Sequence, residues 1–353
     1  MKRRDFIKKT ALFGTAGLLL PTAKLYGAVE GGYTGRLLVQ LQADGGWDVS
    51  SYCDPKINQP GEKEITNWSK NNDVQQVGNI PFAPYANNAS FFEKYYKDML
   101  VINGVDMQTN SHDTGIIHNW SGRNSVGFPT LTAMFAAKNA PDQPLSYINF
   151  GGFGQTGNLI RFSRLNDVES LKKLLRPEQN HDGNSSLRGA DDVARLRAAA
   201  KARLERQLAN SRLTPRQHAN LSAQNQAMSS RSTLSSFSKY LPTSDEIIAD
   251  KQVNPQIRSS LQRQIQLTVA AFDAGLASAS DLFLPGFDTH NGHDAAHEPL
   301  LNHLNESVDL LWTLAEAANI ADRLTVIIGS DFSRTPHYNE DSGKDHWAIG
   351  SVI

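Results

Sequence analysis

The residues with the clearest capacity for chemistry lie in the last third of the chain. Phe287-Asp288-Thr289-His290-Asn291-Gly292-His293 is followed there by Ser330-Asp331-Phe332-Ser333-Arg334-Thr335 and then by Lys344-Asp345-His346. Six of the ten histidines (His290, His293, His297, His303, His337 and His346) fall in this region. Carboxylates interleaved with imidazoles form the donor set of a divalent-cation site, and that mixture suits Zn²⁺ or Mn²⁺ better than Ca²⁺. The same residues have plain structural uses. Histidines three or four apart also arise where polar residues decorate the start of a helix, and Arg334 serves equally as a bidentate clamp on a substrate oxyanion or as the partner of a carboxylate that holds a loop. Upstream, Asp44-Gly45-Gly46-Trp47-Asp48 combines carboxylates with a sharp glycine turn, and Asn110-Ser111-His112-Asp113-Thr114 opens a helix. A hydroxyl at a helix N-terminus is placed for nucleophilic work on a phosphate or sulfate ester, and equally for simple capping; Ser111 and Thr114 carry both readings.

Elements that position such groups can be read around them. Arg36 to Gln42 is an apolar run ending at the glycine turn, Met99 to Val105 and Leu145 to Phe150 read as further strands, and Leu324 to Ile328 is a β-branched run of the kind buried in parallel sheets. Leu282-Phe283-Leu284, a helix through Leu300, Leu304, Val308, Leu311 and Leu314, and the 324–328 strand make a β-α-β unit with an expected right-handed crossover. The pattern predicts an α/β fold, a doubly wound and mostly parallel sheet flanked by helices, with the polar groups outside the carboxyl ends of the strands. Residues 185–280 read as a helical insertion: a helix from Asp191 to Gln207, a second opening at Thr214-Pro215, a serine-rich mobile connection over 229–238, and a third helix opening at Asn254-Pro255. Residues 54–89 read as irregular surface structure, and a helix is expected between Pro129 and Ala137. Gly151-Gly152-Phe153-Gly154 lacks the dinucleotide fingerprint spacing, so no nucleotide site is read there. The chain stops within Ala348 to Ile353, an apolar run resembling a strand entered and not finished, which leaves open a C-terminal portion beyond it.

The first 28 residues stand apart. They carry six Lys/Arg against one Asp, so the remainder of a chain with net charge −1 is acidic, at −6, and reliance on a basic surface for nucleic acid is excluded. Lys2-Arg3-Arg4-Asp5-Phe6-Ile7-Lys8 followed by a short apolar stretch from Thr10 to Leu20 reads as a twin-arginine export signal over 1–28, too short to span a bilayer. The mature chain, 29–353, is therefore expected in the periplasm or secreted from a bacterium, with no membrane span. Cys53 is alone, so its stability cannot rest on an internal disulfide.

Taken together, the leader, Gly45-Gly46 with Asp48, Ser111-His112-Asp113, Phe287-Asp288-Thr289-His290, Ser330 to Pro336 and Asp345-His346 resemble the domain-of-unknown-function 1501 proteins of the alkaline phosphatase/sulfatase-like superfamily. The resemblance implies an alkaline phosphatase-like fold whose strand-end loops hold one or two divalent cations, Zn or Mn. By position it implies Asp48 or Asp44, Asp288 with His290 or His293, Asp331 and His346 as metal ligands, with Ser111, Thr114 and Arg334 as catalytic candidates. The expected function is hydrolysis of phosphate or sulfate esters of a small molecule or glycan. The alternative is a non-catalytic envelope protein that keeps a degenerate ion site and binds a protein partner or glycan. Two departures are plain: Phe332 follows Asp331 where superfamily phosphatases carry histidine, and the sulfatase nucleophile motif is absent around Cys53. The nucleophile is left open among Ser111, Thr114 and a metal-bound water.

Overall fold

The computed structural model describes residues 31–71, 73–151, 153–165, 167–175 and 189–353; the export signal read over 1–28 lies outside them. The strand Leu37–Ala43 is the centre of the fold. All seven of its residues are buried, because helices cover both faces of the sheet it occupies. Leu37, Val39 and Leu41 face a core completed by Leu261, Ile265 and Phe272 of the helix Leu261–Asp273 and by Leu300, Leu304 and Leu311 of the helix His293–Ala317. Leu38 faces the other way, against Ala133 and Ala136 of the helix Leu131–Asn139. That helix opens as its sequence demands, with the Thr130 hydroxyl accepting from the amide of Ala133 at 3.0 Å.

Five strands form the central sheet, and every pairing in it is parallel. Leu37–Ala43 lies between Leu324–Gly329 and Ala279–Leu284, followed outward by Tyr147–Asn149 and the edge strand Phe162–Ser163. The register sets Gln42 beside Gly329 on one side and Phe283 on the other. Parallel strands deliver their carboxyl ends to one edge, so the loops after Ala43, Leu284 and Gly329 emerge side by side. Among the described residues no helix is long and apolar enough to cross a membrane.

Several expectations are corrected. The strand read at 99–105 forms as Ile102–Asp106 but lies outside the central sheet, pairing antiparallel with Ile349–Val352; Ile102 is half exposed, unlike a residue of a buried strand. The segment 54–89 is not wholly irregular, since Gln75–Val77 pairs with Ile80–Phe82 and Phe82 stacks on Phe92. The serine-rich stretch is helical over Arg231–Phe237, anchored by the buried Phe237. No helix starts at Asn254-Pro255: the Asn254 side chain accepts from the amides of Gln256 and Ile257, a local turn that competes with helix. The helix begins at Leu261 and is buried along ten of its thirteen residues, so it belongs to the core and not to an insertion. What stands apart in that region is Ala190–Leu208 and Pro215–Ser229, which contribute no described residue to the main core cluster.

One buried group marks the middle of the sheet. Asp281 is fully enclosed, accepting from Asn149 Nδ2 at 3.0 Å and from the Tyr147 hydroxyl. Burial pushes its carboxyl up to about 7 against the hydrogen bonds that hold it down. The folded protein therefore binds a proton at Asp281 that the unfolded chain has released above its ordinary value near 3.8. Between pH 4 and 7 this group lowers stability as pH rises, by up to about 1.4 kcal/mol per unit, with no further change above 7. In Asp281→Asn, denaturant unfolding at pH 4.5, 6 and 8 should show a shallower loss across that window than in the parent; identical slopes in the two proteins refute the assignment.

Candidate metal centre

The three strand-end loops and the start of the helix His112–Ser121 converge on Asp288. Its Oδ1 lies 3.5 Å from His112 Nε2, 3.2 Å from His290 Nε2 and 3.8 Å from His346 Nε2. The donor atoms of His112, Asp288 and His346 all lie within 4.8 Å of one another. His290 Nε2 stands beside them, 2.9 Å from His346 Nε2.

Each imidazole is tied back through its other nitrogen. His346 Nδ1 donates to the Asn110 carbonyl at 2.7 Å, His112 Nδ1 faces Asp331 Oδ2 at 2.5 Å, and His290 Nδ1 faces Asp345 Oδ1 at 3.2 Å. A carbonyl or carboxylate behind Nδ1 holds the proton there and turns the Nε2 lone pair forward, the usual support for a metal-binding histidine. Two such lone pairs 2.9 Å apart repel unless a proton or a cation lies between them. His112 Nε2 is buried without a hydrogen-bond partner, and its 3.5 Å distance to Asp288 is too long for a good hydrogen bond. It is close to the separation of about 3.4 Å between ligand atoms of a tetrahedral ion with bonds of about 2.0–2.1 Å. Imidazole nitrogens with one carboxylate thus fit Zn²⁺ or Mn²⁺.

Protonation follows the same layout. The hydrogen bond to Asp331 raises the pKa of His112, whereas burial lowers that of His346. Burial pushes Asp288 up, but Arg334 and the neighbouring histidines outweigh it and hold the carboxyl below its ordinary value. The family model for proteins of unknown function DUF1501 matches residues 36–353, a span that includes every one of these groups. The chain belongs to the DUF1501 family. No curated protein matches it.

In this DUF1501 member the loops are locked by two buried polar residues. Asp331 Oδ1 accepts from the amides of Gly45 (3.1 Å) and Gly46 (2.7 Å) and from the Ser330 hydroxyl (2.8 Å), so Asp331 orients His112 from behind and does not face the centre as a ligand. This approach requires Gly45 at φ 110°, where a Cβ would stand 2.4 Å from the Asp288 amide. Gly115 is needed similarly, since a Cβ there would meet the Asp331 carbonyl at 2.3 Å. Arg334, fully buried, donates through Nε to Gly46 O, through Nη1 to Lys344 O and His290, and through Nη2 to Gly45 O and Asp288. All five of its donors are engaged, so of the two readings of Arg334 the structure favours the one that holds loops together through a carboxylate, and not the catalytic oxyanion clamp. The buried Phe332 ring packs against both His112 and His346, with centroids 4.6 and 4.5 Å away, and forms the floor of the centre.

Asp48 and His293, expected as ligands, do not join this centre. They form a second, closed cluster in which Asp48 Oδ2 meets Lys344 Nζ at 2.7 Å and His293 Nε2 at 3.1 Å, while Oδ1 accepts from Ser50 and Ser51. The Lys344 ammonium stands where a metal would be needed. Burial raises the Asp48 carboxyl, but Lys344 and His293 overcome it and leave it well below the ordinary range. His297, pushed down by burial, is neutral and accepts from the Asp48 amide at 3.0 Å. Asp44 lies nearer the candidate centre, close enough for Asp331, His112 and Asp288 to act on its charge. Burial, with Asp331 next, pushes it up to about 6, and Gln42 Nε2 donates to it at 2.7 Å. Ser111 occupies the N-cap position without a side-chain capping bond, and among the described residues neither its hydroxyl nor that of Thr114 is paired with a base. His112 was not among the ligands expected from the sequence, although the motif Ser111-His112-Asp113 contains it.

Lys344→Ala would leave Asp48 buried and ionised without its main partner. Denaturant unfolding at pH 7 should show a loss of about 3–5 kcal/mol. A loss below about 1 kcal/mol would mean the ion pair is dispensable.

Proposed function

We propose that this DUF1501 protein is an exported, metal-dependent hydrolase of phosphate or sulfate esters, built on an alkaline phosphatase-like sheet and directed to the periplasm or beyond by a twin-arginine leader over residues 1–28. The observation that carries the reading is the convergence on Asp288 of imidazoles whose Nδ1 atoms are tied back to Asp331, Asn110 and Asp345. His112, Asp288 and His346 would hold Zn²⁺ or Mn²⁺, with His290 adjacent. A cation bound there supplies Lewis acidity toward an ester oxygen and lowers the pKa of water. The protein's own residues orient the centre: Asp331 fixes the His112 tautomer, Phe332 excludes water from below, and Arg334 holds Asp288 ionised. Asp44, held near 6, is positioned to take or return a proton close to neutral pH.

A second reading has its own support. Arg334 has no donor left for an anionic substrate, and among the described residues neither Ser111 nor Thr114 is paired with an activating base. Both features suit a non-catalytic envelope protein that retains an ion site and binds a protein partner or glycan.

Purified protein should contain stoichiometric Zn or Mn and turn over aryl phosphates or aryl sulfates. His112→Ala and His346→Ala should lose metal and activity together. Asp331→Asn should weaken metal affinity by about 10–100-fold through misorientation of His112. Protein that binds metal but hydrolyses neither ester class selects the second reading, and protein that takes up no metal sinks both.

A further inference from the structure

Away from the metal centre, a cleft of about 520 Å³ is lined by Asn67, Trp68, Asp73, Val74, Gln75 and Pro84. That volume lies within the usual range of small-ligand sites, about 300–1,000 Å³. Its chemistry is specific. Trp68 is half-buried, with its indole N–H donating to Ser51 Oγ at 3.3 Å, so the ring is held in place while part of it stays open to the cleft. Around it stand two amides and one carboxylate, Asn67, Gln75 and Asp73, all exposed. A fixed aromatic surface offers a platform to the C–H face of a sugar ring. Amide and carboxylate groups at its edge supply the paired donors and acceptors that hydroxyls on adjacent carbons require. The Asp73 carboxylate disfavours a sulfate or phosphate group, and with half of the described lining polar the cleft does not suit a lipid chain.

The cleft shares a loop with the metal centre. Asn67 Nδ2 donates to the Tyr338 hydroxyl at 3.4 Å, and Tyr338 in turn donates to Asp294 at 2.7 Å. The Lys344 ammonium lies 4.9 Å from the Tyr338 ring centroid. At the far end of the same loop are Asp345 and His346. We propose that the Trp68 cleft is a subsite for a neutral sugar ring of a glycan. The subsite stands whether or not the histidine centre is catalytic. If that centre is hydrolytic, a step that rests on the reading above, its substrate is a glycan ester whose charged group lies at the metal and whose uncharged ring lies on Trp68.

Isothermal titration calorimetry of the full chain with neutral hexasaccharides of β-1,4-linked glucose, N-acetylglucosamine, mannose and xylose tests this directly. At least one should give saturable 1:1 binding. Trp68→Ala should weaken that binding by about tenfold or more while metal content and aryl-ester turnover stay unchanged. Asp73→Ala, at an exposed position that leaves the fold intact, should weaken it too. His346→Ala should keep the binding even as it loses metal, which separates failure of the subsite from failure of the metal centre. No saturable heat with any of the four sugars, or affinity unchanged in both Trp68→Ala and Asp73→Ala, overturns the proposal.

Discussion

A guanidinium buried at the carboxyl edge of the sheet holds the site together. Arg334 reaches the loop after the first strand through Gly45 and Gly46, the loop after Leu284 through Asp288, and the last loop through Lys344. Removing so large a charge from water is tolerable only because each N–H finds an oxygen or nitrogen in place. The geometry runs in both directions. The carbonyls of a tight glycine turn are positioned by the guanidinium, and the guanidinium is positioned by the turn. Asp331, three residues before it, performs the complementary task by gathering the amides of the same turn, so one loop has its carbonyls and its amides satisfied by a single neighbouring segment.

This arrangement separates the two polar clusters. Lys344 links them: its backbone carbonyl serves Arg334 on the side of the histidine cluster, and its ammonium serves Asp48 on the core side. The inner cluster is neutralised internally, with every charge matched and no access to water. The outer one leaves Asp288 half exposed and its histidines facing forward. Similar residue types therefore do different work, and the distinguishing feature is whether a protein cation already fills the space between the donors.

Much of the frame was legible in the sequence because it is written in local patterns. The run at 36–42 appears as Leu37–Ala43 and the β-branched run at 324–328 as Leu324–Gly329, since burial on both faces selects such continuous apolar strands. Turn chemistry was harder to see: Asn254 looked like a helix cap and instead closes a turn of its own. The site divides in the same way. Asp288, His290 and His346 announced themselves by type and clustering, whereas His112 depends on Asp331, 219 residues away, a relation with no local signature. Asp48 and His293 were indistinguishable from ligands by type alone. What assigns them to the core is Lys344, whose burial no nearby residue foretells.

The Gly46–Asp331 hydrogen bond joins residues 285 positions apart, and the Arg334–Gly46 contact joins residues 288 apart. Closing loops of that length is entropically costly, and contacts between distant segments form late and slowly. Nothing at the centre can assemble until the segment carrying Asp331 and Arg334 has been made, because the Gly45-Gly46 turn waits for both. The histidines face one another only after the parallel sheet has closed around Leu37–Ala43. The grouping of His112, Asp288 and His346 is thus a property of the folded domain, and a partly folded chain offers scattered imidazoles in its place.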